Sequence, residues 1–313
     1  MAVVYTQNMP LSTVVPAPNV TTYASRSIYV NPAEFKAAPT GVDVSQLIPG
    51  DNNQAHQLNA LVMQLQRASA VADKICNKVL GATMDTQAGY YRVQNDPGLG
   101  PVIRVPLNFT PIIAVAGVSV GTTPSTMAAV TDLTNLWIGS KAVTVPIGGT
   151  GPSPSPFQSR SSGKRYTTVT YLNGWANTTL QANAAANATS ITVTAALGIM
   201  PGQQLNLMNT NNSEIVTVDP SYIPSNAAVN VLVPLTAPIV GTYTAGDTVT
   251  NMPQEIKQAV ILIAKSLIKT RGSESIVIAS TTSQPEHIQG IESGVTSDME
   301  MAEYLLSAYV RAA

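Results

Sequence analysis

The sequence predicts an α+β protein with a helical core of about three main helices and a short-stranded β part. A small all-β module is inserted into that core, and an extended N-terminal arm precedes it. Three observations carry this reading. Apolar residues recur at spacings of three and four over about 53–80, 253–270 and 298–311, the period of one helix face. Between 90 and 175 they recur instead in short β-type runs broken by turn residues. From 176 to 251, short alternating runs follow one another with Glu214, Asp219 and Asp247 as the only charged residues.

Residues 1–40 hold Arg26, Glu34 and Lys36 as their only charges, and Pro10, Pro16, Pro18, Pro32 and Pro39 break any regular period. Such an arm is too costly in chain entropy to order alone, so it either stays mobile or lies along a neighbouring surface. The first helix follows over about 53–80, with Leu58, Leu61, Leu65, Ala68, Ala72, Cys76 and Val79 on one stripe. Asp51 is placed to cap its start and Gly81 its end. Cys76 lies on the stripe with nothing basic placed to lower its pKa, which makes it a buried thiol and not a nucleophile.

Tyr90–Val93, Val102–Val105, Ile112–Val118, Ala142–Val145 and Tyr166–Leu172 are the expected strands. Ile147–Gly163 is rich in Gly, Pro and Ser and reads as a long exposed loop. Pro152 and Pro154 bar the helix that a phosphate loop built on Gly148, Gly149 and Gly151 would need. The runs at 191–195, 204–208, 214–218, 229–233 and 247–250 then form the inserted module, bounded by abrupt shifts in composition. Pro253 opens a second helix, apolar on most sides and therefore central. Ser297 and Glu300 form a capping box for the last helix, whose Met301, Leu305, Leu306 and Tyr309 need something to dock on.

Composition removes several functions. The 313 residues carry 16 Lys+Arg and 17 Asp+Glu, 11% charged against roughly 25% in an average globular protein. A net charge of −1 does not suit a strongly basic nucleic-acid binder, and the 44% hydrophobic content does not suit a wholly disordered chain. Cys76, His56 and His287 are too few for a zinc framework, and no disulfide can form within the chain. Pro111–Val120 and Ala259–Ile268 are too short to cross a bilayer, so no membrane partner is expected. No secretory signal, Walker lysine, H-E-x-x-H or G-x-S-x-G motif occurs, and the expectation is a protein without catalytic residues, metal or cofactor.

Five blocks in order then become informative. Leu58–Val93 contains Ala68-Ser69-Ala70-Val71-Ala72-Asp73 on a helix followed by a strand. PVIRVPLNFTPIIAVAGVSVG at 101–121, TVTYLNGWAN at 168–177, MPQEIKQAVILIAKSLIKTRG at 252–272 and AEYLLSAYVR at 302–311 follow it. In this order they resemble the head-tail connector (adaptor, or head completion) proteins of tailed bacteriophages. The resemblance covers 41–175 and 252–313, and departs from the family where the 176–251 module is inserted and where the 1–40 arm is added.

The resemblance implies a structural virion protein assembled in the host cytoplasm. It implies a ring of about twelve copies under the portal that extends the DNA channel and offers a docking face to a stopper, neck or tail protein. Double-stranded DNA would pass transiently through it, and the arm or module could reach the major capsid protein. The terminal helix is expected to engage the portal protein through Met301, Leu305, Leu306, Tyr309 and Arg311, or to pack on its own subunit, or both. A tail or decoration protein is the first alternative, and a soluble enzyme or adhesin the second.

Overall fold

The structure, a computed structural model, describes residues 28–147, 163–224, 230–269 and 293–311. The first 27 residues of the arm, loop 148–162 with its three glycines, and His287 lie outside them. The chain divides into two compact units: one holds Gly81–Leu207 and Glu214–Asn251, the other Ser25–Leu80, Met208–Ser213 and Met252–Ala313.

The fold is mostly β, which corrects the expected helical core with a short-stranded β part. Seven antiparallel strands form a curled half-barrel: β1 (Thr83–Asp96), β2 (Gly100–Pro106), β3 (Ile112–Gly121), β4 (Ala128–Ala129), β5 (Trp137–Ile138), β6 (Ala142–Pro146) and β7 (Lys164–Asn173). Their order is β4-β3-β7-β1-β2-β6-β5, so the long β1 lies near the middle. Sequence patterning marked only Tyr90–Val93 of β1, because its outward positions alternate Thr86, Ala88, Tyr90 and Arg92 and few inward ones are apolar. Its length comes from its partners: β7 pairs with it from Thr83 to Arg92 and β2 from Val93 to Asp96.

Curl has a local cause in β3, where register shifts between Ile112 and Ala114 and between Val115 and Gly117 bend the strand against β7. The concave face collects Ile103, Val105, Val118, Val120, Val143, Val145, Val169 and Tyr171 into one buried cluster.

The second part of this unit is a ring of short strands: β8 (Asn177–Thr179), β9 (Ser190–Val193), β10 (Gln204–Met208), β11 (Ser213–Thr217), β12 (Val231–Pro234) and β13 (Thr248–Thr250). The four-stranded sheet β11-β10-β13-β8 and the pair β12-β9 join at both seams. The Val218–Leu235 bridge, with the Asp219 N–H donating to the Pro234 carbonyl, links β11 to β12. The Leu180–Val193 bridge links β8 to β9. The circle therefore closes around Ile191, Val193, Leu205, Leu207, Val216, Val218 and Val233 and leaves no long unpaired edge.

Helices make up most of the other unit: α1 (Pro32–Ala37), α2 (Gln54–Cys76), α3 (Gln254–Lys269) and α4 (Ser293–Leu306). α3 packs against both α2 and α4, as its near-uniform apolarity requires. Asn53, not Asp51, caps α2, its side chain accepting the Ala55 N–H. At the other end Asn77, with φ 51°, takes the left-handed C-cap expected further on at Gly81. α4 starts at Ser293, so Ser297 lies within the helix and not at its cap. Among the described residues no helix is long and apolar enough to cross a membrane.

Candidate functional site

The residues of the first block, Ser69 and Asp73, face inward from α2 and hold the root of the arm. Ser69 Oγ donates to the Leu65 carbonyl one turn back and accepts the Tyr29 N–H at 3.1 Å. Asp73 Oδ1 accepts the Tyr29 hydroxyl at 2.6 Å and the Leu80 N–H at 3.0 Å. Tyr29, Val30 and Phe35 are buried, so residues 28–35 are clamped by polar bonds and by packing at once.

A second clamp uses the fourth block. Lys257 on α3 has its side chain 1% exposed, and its ammonium lies 2.9 Å from Glu34 Oε1 on α1. Burial pulls the lysine pKa below its ordinary value, and the Glu34 carboxylate partly offsets that pull. Asn31 caps α1 by accepting the Glu34 N–H, which fixes the backbone that carries this carboxylate.

The fifth block closes the unit. α4 turns Asp298, Ala302 and Leu306 inward at spacings of four, and Asp298 pairs with Lys265 at 2.8 Å. Cys76 Sγ lies 3.9 Å from the Leu306 carbonyl, and the Arg311 N–H donates to the Cys76 carbonyl at 3.0 Å. Burial pushes the Cys76 thiol up to about 11, which keeps it protonated and unreactive at neutral pH.

The five expected portal-facing residues are therefore divided by the helix. Leu306 is fully buried within its own unit, and Tyr309, half-buried, places its hydroxyl 3.4 Å from Glu255 on α3. Leu305 and the Arg311 side chain are half-buried, and only Met301 is open, at 51% exposure. Sequence reasoning missed Tyr304, 75% exposed and three residues from Met301, and Val310, 46% exposed. The i, i+3 spacing of Met301 and Tyr304 was the available signal for that outward face.

His56 is exposed, with Nδ1 2.7 Å from Asp51 Oδ2. The Asn53 N–H and then this ring hold the Asp51 carboxyl below its ordinary pKa. This pair sits at the start of α2, where Asn53 Nδ2 lies 3.4 Å from His56 Nε2. Among the described residues no group of three or more His, Cys, Asp or Glu side chains is placed to hold a metal. No family model, curated protein or solved structure matches this chain.

Proposed function

We propose that this chain is a head-to-tail connector subunit of a tailed-phage virion. It assembles as a ring of about twelve copies beneath the portal, extends the DNA channel and provides the docking face for neck or tail proteins. One observation carries the reading. Blocks one, four and five of the resemblance meet in one unit, and their distinctive residues do structural work there. Ser69 and Asp73 hold the arm root, Lys257 holds α1, and Leu306 and the Arg311 backbone seat the last helix on α2. Residues that serve as joints between distant segments suit a subunit whose task is shape and ordered assembly.

The portal-facing surface in this reading is the outward side of α4, formed by Met301 and Tyr304, with the exposed Val310 just beyond the helix end. Electron microscopy of the purified protein, alone and mixed with portal, is the test. Rings that cap the portal support the connector. A chain that remains monomeric in the presence of portal rejects it.

A further inference from the structure

We propose that the convex face of the seven-stranded sheet is a nucleic-acid contact. Lys164, Arg92 and Arg104 take the phosphodiester backbone there, and the exposed Tyr90 and Trp137 offer ring faces to bases. Strand register assembles this surface. Arg92 on β1 is the cross-strand partner of Lys164 on β7. Arg104 on β2 sits one position past the Val93–Ile103 pair, which places it against Arg92 on the other side. Arg104 in turn faces Thr144 on β6, and Thr144 faces Trp137 on β5. One row thus crosses five strands as Lys-Arg-Arg-Thr-Trp.

Ile103, Val105, Val143 and Val145 point into the core, so the row lies on the opposite, outward face. All three cations are exposed, and Trp137 is 60% exposed. At a strand spacing of about 4.8 Å the three charges start within about 10 Å of one another. Like charges set directly opposite each other repel, a cost that a bound polyanion reverses.

Nothing on the protein does so among the described residues. No ion pair engages Arg92, Arg104 or Lys164. The acids of residues 83–175 are Asp85, Asp96 and Asp132, with no glutamate. Asp85 accepts from Asn173, Asp96 from the Gly98 and Leu99 N–H groups of its own turn, and Asp132 from Thr134 and Asn135.

The aromatic neighbours favour nucleic acid over an acidic protein. Tyr90 and Tyr166 form the adjacent cross-strand pair, edge to face with centroids 5.0 Å apart, and Trp137 ends the row. Cations beside open aromatic rings are the combination with which sheet surfaces hold single strands, charge on the backbone and rings under the bases. The shared chemistry is the phosphodiester chain, from a single strand or a duplex, and the rings give the single strand the advantage. This inference does not rest on the connector reading, since ring formation and portal binding are measured separately.

The test is fluorescence anisotropy of the full chain with a labelled oligothymidylate and a labelled duplex across a salt series. Both should bind, with log K against log[salt] falling at a slope of about −2 to −3 for three phosphate contacts. The Arg92→Gln/Arg104→Gln/Lys164→Gln variant, altered only at exposed positions, should lose about tenfold or more and flatten the slope. Trp137→Ala should weaken the single strand about fivefold or more and leave the duplex unchanged. No binding at low salt, an unchanged triple variant, an unaffected single strand in Trp137→Ala, or polyglutamate competing as well as oligonucleotide would each overturn the proposal. An unchanged circular dichroism melt shows that each variant remains folded.

Discussion

The hydroxyl of Tyr29 donates a 2.6 Å hydrogen bond to Asp73 Oδ1, and the same carboxylate oxygen accepts the Leu80 N–H where the chain leaves α2. One carboxylate thus ties the arm root and the exit of the helix to a single point. Tyr29→Phe keeps the ring and removes the donor. Leaving the buried carboxylate short of a bond should cost about 1–3 kcal/mol in urea unfolding. No loss of stability would mean that ring packing alone holds the root.

The Lys257–Glu34 pair yields a double-mutant test. Lys257→Met leaves a partly buried carboxylate without its partner and should cost about 3–5 kcal/mol. Adding Glu34→Leu should recover most of that loss, because two apolar side chains can replace a buried ion pair. A double variant no better than the single one would place the damage in packing.

Cys76 makes alkaline stability directional. Its thiol is raised from 9.0 to about 11 in the folded chain, so the folded state holds the proton more tightly than the unfolded state. The stability this contributes is fully present below pH 9.0 and is lost as pH rises through about 11. Cys76→Val should flatten that part of the stability profile. At pH 8 the native thiol should react with a disulfide reagent only as fast as the protein opens.

Gly198 and Gly202 separate two costs. Both have positive φ, 88° and 72°. A Cβ on Gly198 would lie 2.6 Å from that of Ala82 and 3.3 Å from the Ala176 backbone, whereas nothing approaches one on Gly202. Gly202→Ala should cost about 1–2 kcal/mol from its left-handed backbone alone. Gly198→Ala should cost distinctly more, and equal melting temperatures for the two variants would contradict the close approach.

The two sides of α4 should respond oppositely. Leu306→Ala removes a fully buried side chain and should destabilise by about 2–5 kcal/mol. Tyr304→Ser, on the open side, should leave the melt within about 0.5 kcal/mol and weaken portal capture in a pull-down.

What the sequence disclosed depended on distance along the chain. α2 and α3 are legible because Leu61, Leu65, Ala68 and Ala72, or Ile256, Val260, Ile263 and Leu267, repeat within a few residues. The inner stripe of α4 was misread for a geometric reason. Met301 and Leu306 sit about 140° apart around a helix, and the buried stripe uses Ala302 and Asp298, which hydrophobicity does not mark. β1 lacks a run of inward apolar residues and becomes a strand because β7 and β2 supply its hydrogen bonds. The cation row is more hidden still. Residues 92, 104 and 164 are neighbours only through register, and a near-zero net charge averaged over 313 residues conceals them. Tyr29 and Asp73 lie 44 residues apart with no local signal to join them.

The closed ring of β8 to β13 begins and ends at the same place. Asn177 is paired with Thr250, Thr178 with Val249, and the Asn251 N–H returns to the Ala176 carbonyl. Chain entry and exit are therefore a single strand spacing apart, about 5 Å. A segment with such adjoining ends behaves as a cassette. Its own strands close the ring, so an insertion at this point of the chain asks only for two ends about one strand spacing apart.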